Sequence, residues 1–436
     1  MDVFFHTLGC KVNQYETQAM MALFDARGDK TRLFEVGMPD IGDSVLVLNS
    51  CTVTGESDRK LRQLIRRCRR DNPNAVIVLT GCFSQAFPDR AAALTDVDVV
   101  LGNAERAVLP DRVDAFLRDR RRVTDVPAHS AVYEPLAIRQ FEGRTRAFVK
   151  IEDGCNRFCS YCIIPYARGR VRSRSLDSLR EELELLAKAG FCEVVLVGIN
   201  LTAYGQDIGC TLADAVDAAC AVPSILRVRL GSLEPEDMTD EMIARLKTQP
   251  KLCPQFHLSL QSGCEATLRR MRRRYDPALY RDICGKLRAA FPGCALTTDI
   301  MVGFPGEDEM EFSQSLAFAQ EIGFARAHVF AYSKRAGTPA AAAPDQVTQA
   351  DKADRSRRMI RACEQTRDAF ARGMVGQTVS VLTETGHADT PDGGYTEGYT
   401  ANYLPVRLSG LYPPGQLVTA RLTRAEHGVC YGEAVE

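Results

Sequence analysis

Cys155-Asn-Arg-Phe-Cys159-Ser-Tyr-Cys162 sets three thiols in a C-x-x-x-C-x-x-C loop. Three thiolates on one tight loop can hold three corners of a cubane [4Fe–4S] cluster, which leaves the fourth iron without a protein ligand. An iron with an open position is a reaction centre, not a staple. Structural zinc sites pair a C-x₂₋₄-C with a distant second pair, and neither a second C-x-x-C nor a His-x₃₋₅-His follows this loop. Unliganded core cysteines rarely crowd a polar, Gly-led loop such as the one carrying Asp153, Gly154, Asn156 and Arg157.

A second trio emerges from the elements that must carry it. Residues 1–127 alternate apolar runs (3–7, 44–49, 75–80 and 97–101) with amphipathic stretches such as 13–26 and 57–70. This alternation predicts a parallel sheet flanked by helices. Three of the runs lead into cysteines, in Leu8-Gly9-Cys10, Asn49-Ser50-Cys51 and Thr80-Gly81-Cys82. In a parallel sheet those strand ends share one edge, where α/β sheets bind ligands. Topology therefore gathers Cys10, Cys51 and Cys82, and three thiolates again suit a cluster with one open iron.

The chain has 436 residues, a length that predicts two to three domains. Its 45% hydrophobic and 25% charged residues are those of an ordinary globular protein. No apolar run is long enough for a membrane span, so no membrane partner is expected. Met1-Asp2-Val3-Phe4-Phe5 lacks a basic n-region and an apolar h-region, so no signal peptide is expected. With 16 cysteines, the expected compartment is a reducing one, the cytoplasm. Net charge is −1, yet arginine comes in bursts: 62, 66, 67, 69 and 70; 118 and 120–122; 168, 170, 172 and 174; 269, 270 and 272–274. Arginine forks match phosphate geometry, so the bursts are candidate contacts to a nucleic-acid backbone; solvated helix faces are the alternative reading.

The cysteine loop, with Tyr161 before its last cysteine, resembles the radical S-adenosylmethionine (SAM) superfamily. The resemblance implies that SAM chelates the open iron through its amino and carboxylate groups and is cleaved there to a 5′-deoxyadenosyl radical. Thr7-Leu8-Gly9-Cys10-Lys11-Val12-Asn13-Gln14-Tyr15-Glu16-Thr17 resembles the N-terminal signature of the methylthiotransferases within it. Asn49-Ser50-Cys51-Thr52-Val53 and Gly81-Cys82 resemble that family's further auxiliary-cluster motifs. Gly-Cys-Lys-Val-Asn-Gln-Tyr-Glu resembles the branch acting on threonylcarbamoyladenosine beside the tRNA anticodon; the isopentenyladenosine and ribosomal-protein aspartate branches carry other residues after the cysteine.

The family implies a partial (β/α)₆ barrel, and strand candidates at 147–151, 193–197, 227–231, 256–260, 296–302 and 327–332 suit it. A helix follows the triplet: Ser175 can cap it, Leu176, Leu179, Leu183 and Leu186 share a face, and Gly190 can end it. By resemblance, Gly198 and Asn200 lie at the methionyl amino group, and Ser259 and Gln261 at the carboxylate or ribose. Asp299 opens the adenine-site segment, and Arg335 lies in a stretch facing cluster and substrate.

After an Ala/Pro-rich stretch at 340–349 and a basic helix to about 372, apolar runs at 379–382, 404–408, 416–422 and 429–434 suggest a small β-barrel. By position it resembles the RNA-carrying TRAM domain. Residues 373–436, however, hold three Arg and no Lys against seven Asp or Glu, a poor electrostatic clamp for phosphate. Tyr395, Tyr399 and Tyr403 are candidates for base stacking, though their alternation also suits a β core or turn.

The expected organisation is an α/β chain: 1–130 with an auxiliary cluster, 141–372 as the radical SAM core, and 373–436 as the TRAM-like barrel. Expected cofactors are two [4Fe–4S] clusters and SAM, as both methyl donor and radical source. Expected partners are a tRNA anticodon stem-loop, with no DNA, and an electron donor such as flavodoxin or ferredoxin. Alternatives are the same chemistry on isopentenyladenosine or a ribosomal-protein aspartate, and a non-enzymatic two-cluster electron carrier, for which the chain is far too long. A cobalamin-dependent radical SAM methylase is disfavoured, because the N-terminal strand ends present cysteines and lack a D-x-H-x-x-G.

Overall fold

A computed structural model describes residues 1–138, 141–388 and 394–435. Its first layer is a parallel sheet of β1 (Asp2–Thr7), β2 (Lys30–Leu33), β3 (Val45–Ser50), β4 (Val76–Gly81), β5 (Val99–Leu101) and β6 (Val123–Asp125), in the order β2-β1-β3-β4-β5-β6. The central strands, Val-Leu-Val-Leu-Asn-Ser and Val-Ile-Val-Leu-Thr-Gly, are buried at every residue, as a parallel sheet covered on both faces requires. Strand order reverses between β1 and β3, so the crevice beyond their C-terminal ends is the ligand position of such sheets. The edge strands β2 and β6 escape a reading of apolar runs. β2 is a mostly exposed Lys-Thr-Arg-Leu, and β6 is three half-exposed residues.

Helix α1 (Lys11–Asp25) leaves β1, α2 (Gly55–Asp71) follows β3, and the short α3 (Cys82–Ala86) follows β4. α1 is a wedge. Met20, Met21 and Phe24 pack on the sheet, while Val12, Tyr15 and Ala19 enter the core of the next unit.

That unit contains β7 (Ala147–Lys150), β8 (Glu152–Asp153), β9 (Arg172–Ser173), β10 (Glu193–Val197), β11 (Arg227–Leu230), β12 (Ser232–Leu233), β13 (Gln255–Leu258), β14 (Ala295–Val302) and β15 (Arg326–Ala331). β7, β10 and β11 form one parallel sheet, and β12 to β15 another. The bridge Val228↔Leu252 joins the first sheet to the lead-in of β13. All six long strands fall within two residues of the expected positions. The helix Leu176–Lys188 is capped by the Ser175 hydroxyl, which accepts the Ser178 N–H, and buries Leu179, Leu183 and Leu186 completely.

The helix Gln349–Gly373 leads into a closed five-stranded barrel of β16 (Thr378–His387), β17 (Tyr395–Thr400), β18 (Pro405–Ser409), β19 (Leu417–Glu426) and β20 (Val429–Ala434). β17 adds one strand to the four expected. Its inward residues are Thr396, Gly398 and Thr400, too polar and small to give an apolar alternation. A Cβ at Gly398 would stand 2.4 Å from the Leu382 carbonyl oxygen, so the strand crossing needs glycine there. Asp389, Asp392 and Glu436, part of the acidic count, lie outside the described residues. No described helix is long and apolar enough to cross a membrane.

Candidate functional site

The first trio sits on three turns stitched together at the sheet edge. Cys10 precedes α1, Cys51 follows β3, and Cys82 opens α3. Gly9 has φ +119°, and a Cβ there would lie 2.8 Å from Cys51 Cβ, so only glycine lets the first turn close on the second. Asn13 Nδ2 donates to the Leu8 and Ser50 carbonyls at 3.0 and 2.9 Å, and Asn49 Nδ2 donates to the Asn13 carbonyl at 2.9 Å. Ser50 Oγ donates to the Thr80 carbonyl at 2.6 Å, joining the third turn. Cys82 feels the charge of Cys51 and Cys10; burial pushes its thiol up to about 12, and burial likewise raises Cys51.

The second trio is folded by its own loop. Cys155 N–H donates to the Gly169 carbonyl and Cys162 N–H to the Cys159 carbonyl, both at 3.0 Å. Phe158 sits at φ +52°, its ring edge-on to Tyr166 and beneath the Arg170 guanidinium. Burial pushes the Cys155 and Cys162 thiols up to about 12. Arg273 Nη1 lies 3.4 Å from Cys159 Sγ.

Behind both trios runs a buried ion network. Glu16 of α1 accepts from Arg168 Nη1 at 2.7 Å and Nη2 at 3.0 Å, and from Lys150 at 2.8 Å. Arg106 stands 2.8 Å from the same carboxylate. Burial alone would raise Glu16, but Arg106, Arg168 and Lys150 hold it down at about 2. Asp153, two residues before Cys155, accepts from Lys150 at 2.7 Å and Arg168 at 3.0 Å. Arg168 also donates to Asn13 Oδ1 at 2.7 Å and interacts electrostatically with Cys82.

Each trio offers three free thiols, the donor set that a [4Fe–4S] cluster takes. Among the described residues, no three His, Cys or acidic groups stand at the spacing that one metal ion demands. A cubane gives each thiolate its own iron, so its sulfurs are spread by the width of the cluster. Arg168 beside Cys82 and Arg273 beside Cys159 offset the negative charge that thiolates bring.

Two cavities adjoin. One, of about 160 Å³, is lined by Val53, Thr54, Cys162, Gln261, Asp299 and Tyr332. The other, of about 470 Å³, is lined by Cys10, Lys11, Gly198, His257, Asp299, Arg326, His328 and Tyr403. Each trio thus reaches a cavity, and Asp299 lies in both walls. A larger void of about 590 Å³ between α1 and Pro135–Ala137 contains no cysteine and none of the predicted site residues.

Comparison with known proteins matches residues 149–319 to the Radical SAM superfamily and residues 2–102 to the Uncharacterized protein family UPF0004. The threonylcarbamoyladenosine tRNA methylthiotransferase MtaB of Bacillus subtilis (strain 168) is 38% identical over 99% of this chain and 96% of its own. MtaB of Thermotoga maritima is 38% identical over 90% and 89%. The chain belongs to the radical SAM methylthiotransferases. A tRNA-2-methylthio-N(6)-dimethylallyladenosine synthase of Acidothermus cellulolyticus is 35% identical over 97% of this chain and 83% of its own. The radical SAM methyltransferase TsrM from Kitasatospora setae shares the fold at TM-score 0.55, with 14% identity over 78% of this chain and 77% of its own. Methylthiotransferase chemistry uses SAM and [4Fe–4S] clusters.

The residues predicted to meet SAM separate into two groups. Five face the cavities or the turns beside them. Gly198 abuts Glu152: a Cβ there would lie 2.6 Å from Glu152 Oε2, which accepts the Ile199 and Asn200 N–H groups at 2.7 and 2.8 Å. Asn200 Oδ1 accepts from Thr202, and the Ser259 carbonyl accepts the Tyr275 hydroxyl at 2.6 Å. Gln261, at φ +63°, keeps a buried Oε1 without a partner among the described residues. Asp299 Oδ2 lies 3.4 Å from His257 Nε2. Arg335 differs. Its Nη2 donates to Thr52 Oγ1 at 2.5 Å and Asp58 Oδ2 at 2.9 Å, so it fastens the Cys51 turn to the barrel.

Two further expectations need correction. In the third arginine burst, Arg168, Arg172 and Arg174 are buried in ion pairs with Glu16, Asp153 and Glu182, leaving only Arg170 for solvent. Arg69 of the first burst is tied to Asp98 and the Ala75 and Asp96 carbonyls. Tyr399 and Tyr403 stack on each other 4.7 Å apart, Arg146 caps both rings, and Arg229 caps Tyr403. These tyrosines dock the small barrel, and Glu384 reinforces the joint by pairing with Arg146 at 2.5 Å.

Sequence reasoning gives no role to Glu16, Lys150, Glu152 or Asp153, and it reads Arg273 as a phosphate contact, whereas the side chain is buried against Glu234 and Cys159. A signal exists at β7. The run Ala-Phe-Val-Lys-Ile-Glu-Asp puts Lys150 on a strand of a parallel sheet, where both faces should be apolar, and buries Glu152 and Asp153 on β8 directly before the cysteine loop.

Proposed function

We propose that the protein is a tRNA methylthiotransferase that converts threonylcarbamoyladenosine next to the anticodon into its 2-methylthio derivative. The observation that carries this reading is the pair of adjoining cavities, one bordered by Cys10, the other by Cys162, with Asp299 common to both. When bound, the clusters and SAM supply the radical and the methylated sulfur. The chain's own residues hold and orient them. Cys155, Cys159 and Cys162 hold the SAM-cleaving cluster, and Cys10, Cys51 and Cys82 the auxiliary one.

Gly198, Asn200, Ser259, Gln261 and Asp299 form the SAM side, with Glu152 shaping the Gly198–Asn200 turn. Asp299, in both walls, is placed to orient SAM and the target base toward one another. The substrate assignment is supported by the extent of similarity to the MtaB relatives. An anticodon-loop base can be splayed out of its stack into such a cavity, whereas a stem base cannot. The division 1–130, 141–372 and 373–436, a cytoplasmic location and a flavodoxin or ferredoxin as reductant belong to the same reading.

The test is anaerobic turnover of reconstituted protein on three substrates: tRNA with threonylcarbamoyladenosine, tRNA with dimethylallyladenosine, and ribosomal protein. Only the first should yield a methylthio product by mass spectrometry. Turnover of dimethylallylated tRNA or of ribosomal protein equal to that of threonylcarbamoylated tRNA would defeat the assignment.

A further inference from the structure

Two cations line the cavity of about 470 Å³. Lys11 opens α1 immediately after Cys10, and Arg326 opens β15. Among the described residues, neither makes an ion pair within 4.0 Å. Both side chains are exposed, and Arg229 and Arg146 add positive charge near Lys11. Arg229 and Arg146 already have Glu193 and Glu384. Asp299, the carboxylate on this wall, faces His257. The remaining polar wall, Ser232, Gln255 and Thr297, is neutral.

Two cations that line one cavity without an ion pair of their own draw an anion into it. Lysine from α1 and arginine from β15 together offer an anion site. The threonylcarbamoyl group ends in a carboxylate; a dimethylallyl group carries no charge.

Resting on the proposed threonylcarbamoyladenosine substrate, we propose that Lys11 and Arg326 hold the threonyl carboxylate and so select this base. An uncharged group on the adenine would forgo that pairing. The size of the effect follows from a charged hydrogen bond, roughly 10- to 100-fold in kcat/KM.

The experiment uses full-length reconstituted protein and two substrates: threonylcarbamoylated tRNA and the same tRNA with its threonyl carboxylate converted to the methyl ester. Wild type should prefer the acid by roughly 10- to 100-fold. Arg326→Gln and Lys11→Met should lose that preference, mainly through KM, while Arg326→Lys keeps part of it. Iron content is measured alongside; if Lys11→Met proves iron-deficient, the two Arg326 variants decide. Iron-replete variants that retain the full acid preference overturn the assignment of these residues. A wild type that modifies acid and ester equally overturns the anion site but leaves the substrate reading intact. A wild type inactive on the acid overturns that reading itself.

Discussion

Arg168 grips both carboxylate oxygens of Glu16, at 2.7 and 3.0 Å, with neither side chain more than 1% exposed. The pair links the helix after Cys10 to the short helix Ile164–Arg168 after the Cys155–Cys162 loop. Removing one member of a buried charge group strands the others, at a cost of roughly 3–5 kcal/mol. Glu16→Ala should therefore lower the thermal midpoint of the anaerobic protein far more than Glu56→Ala, whose partner Arg59 lies on the surface. Similar losses for the two would mean that the network contributes nothing special.

The trios should separate by function. Reconstituted protein should hold about eight irons, as two cubanes require. Cys155→Ala/Cys159→Ala/Cys162→Ala should halve the iron and abolish SAM cleavage. Cys10→Ala/Cys51→Ala/Cys82→Ala should still cleave SAM yet form no methylthio product. Because burial pushes Cys82, Cys155 and Cys162 up to about 12, iron must displace thiol protons. Cluster loading should accordingly rise with pH; flat uptake would contradict the burial of these thiols.

Glu152 gives a second pH dependence. Burial pushes it from 4.5 up to about 8. Between those values the folded protein keeps a proton that the unfolded chain has released. The carboxyl's contribution is complete below 4.5 and is lost as pH rises through about 8. Glu152→Gln preserves an acceptor for the Ile199 and Asn200 N–H groups, so its thermal midpoint should fall less steeply across that window. Parallel curves for wild type and variant would show that Glu152 is ionised throughout.

The exposed arginines of the first burst are the remaining phosphate candidates there. Replacing Arg66, Arg67 and Arg70 with glutamine should reduce the slope of log affinity for tRNA against log salt by about 0.7–0.9 for each phosphate no longer neutralised. Arg172→Gln should leave the slope unchanged and lower stability instead, since its guanidinium is buried against Asp153. A slope unaffected by the triple substitution would move the RNA-binding face elsewhere.

Both trios are legible in the sequence because their signals are local. The second is a spacing within one loop. The first is a strand followed within a few residues by glycine or serine and then cysteine, and parallel topology does the gathering. Glu16 and Arg168 are not legible as a pair, since 152 residues separate them and nothing in either neighbourhood names the other. The third arginine burst has the composition of a phosphate-binding face, and only the fold reveals acids waiting inside for it. Tyr399 and Tyr403 mislead in the same way: a flat ring suits a nucleobase and a guanidinium equally, and Arg146 and Arg229 arrive from another unit. β2, β6 and β17 lack the apolar alternation that marks a strand, two being short edges and the third lined inside by Thr and Gly.

α1 contributes Tyr15 to the barrel core and Met20, Met21 and Phe24 to the sheet, while its Glu16 serves the charge network. A hybrid enzyme cut between sheet and barrel would therefore inherit a helix fitted to the wrong neighbour. The transplantable piece is larger than either domain. An N-terminal unit borrowed from a relative should function only if the residues opposite α1, Lys150, Asp153 and Arg168 among them, are exchanged with it.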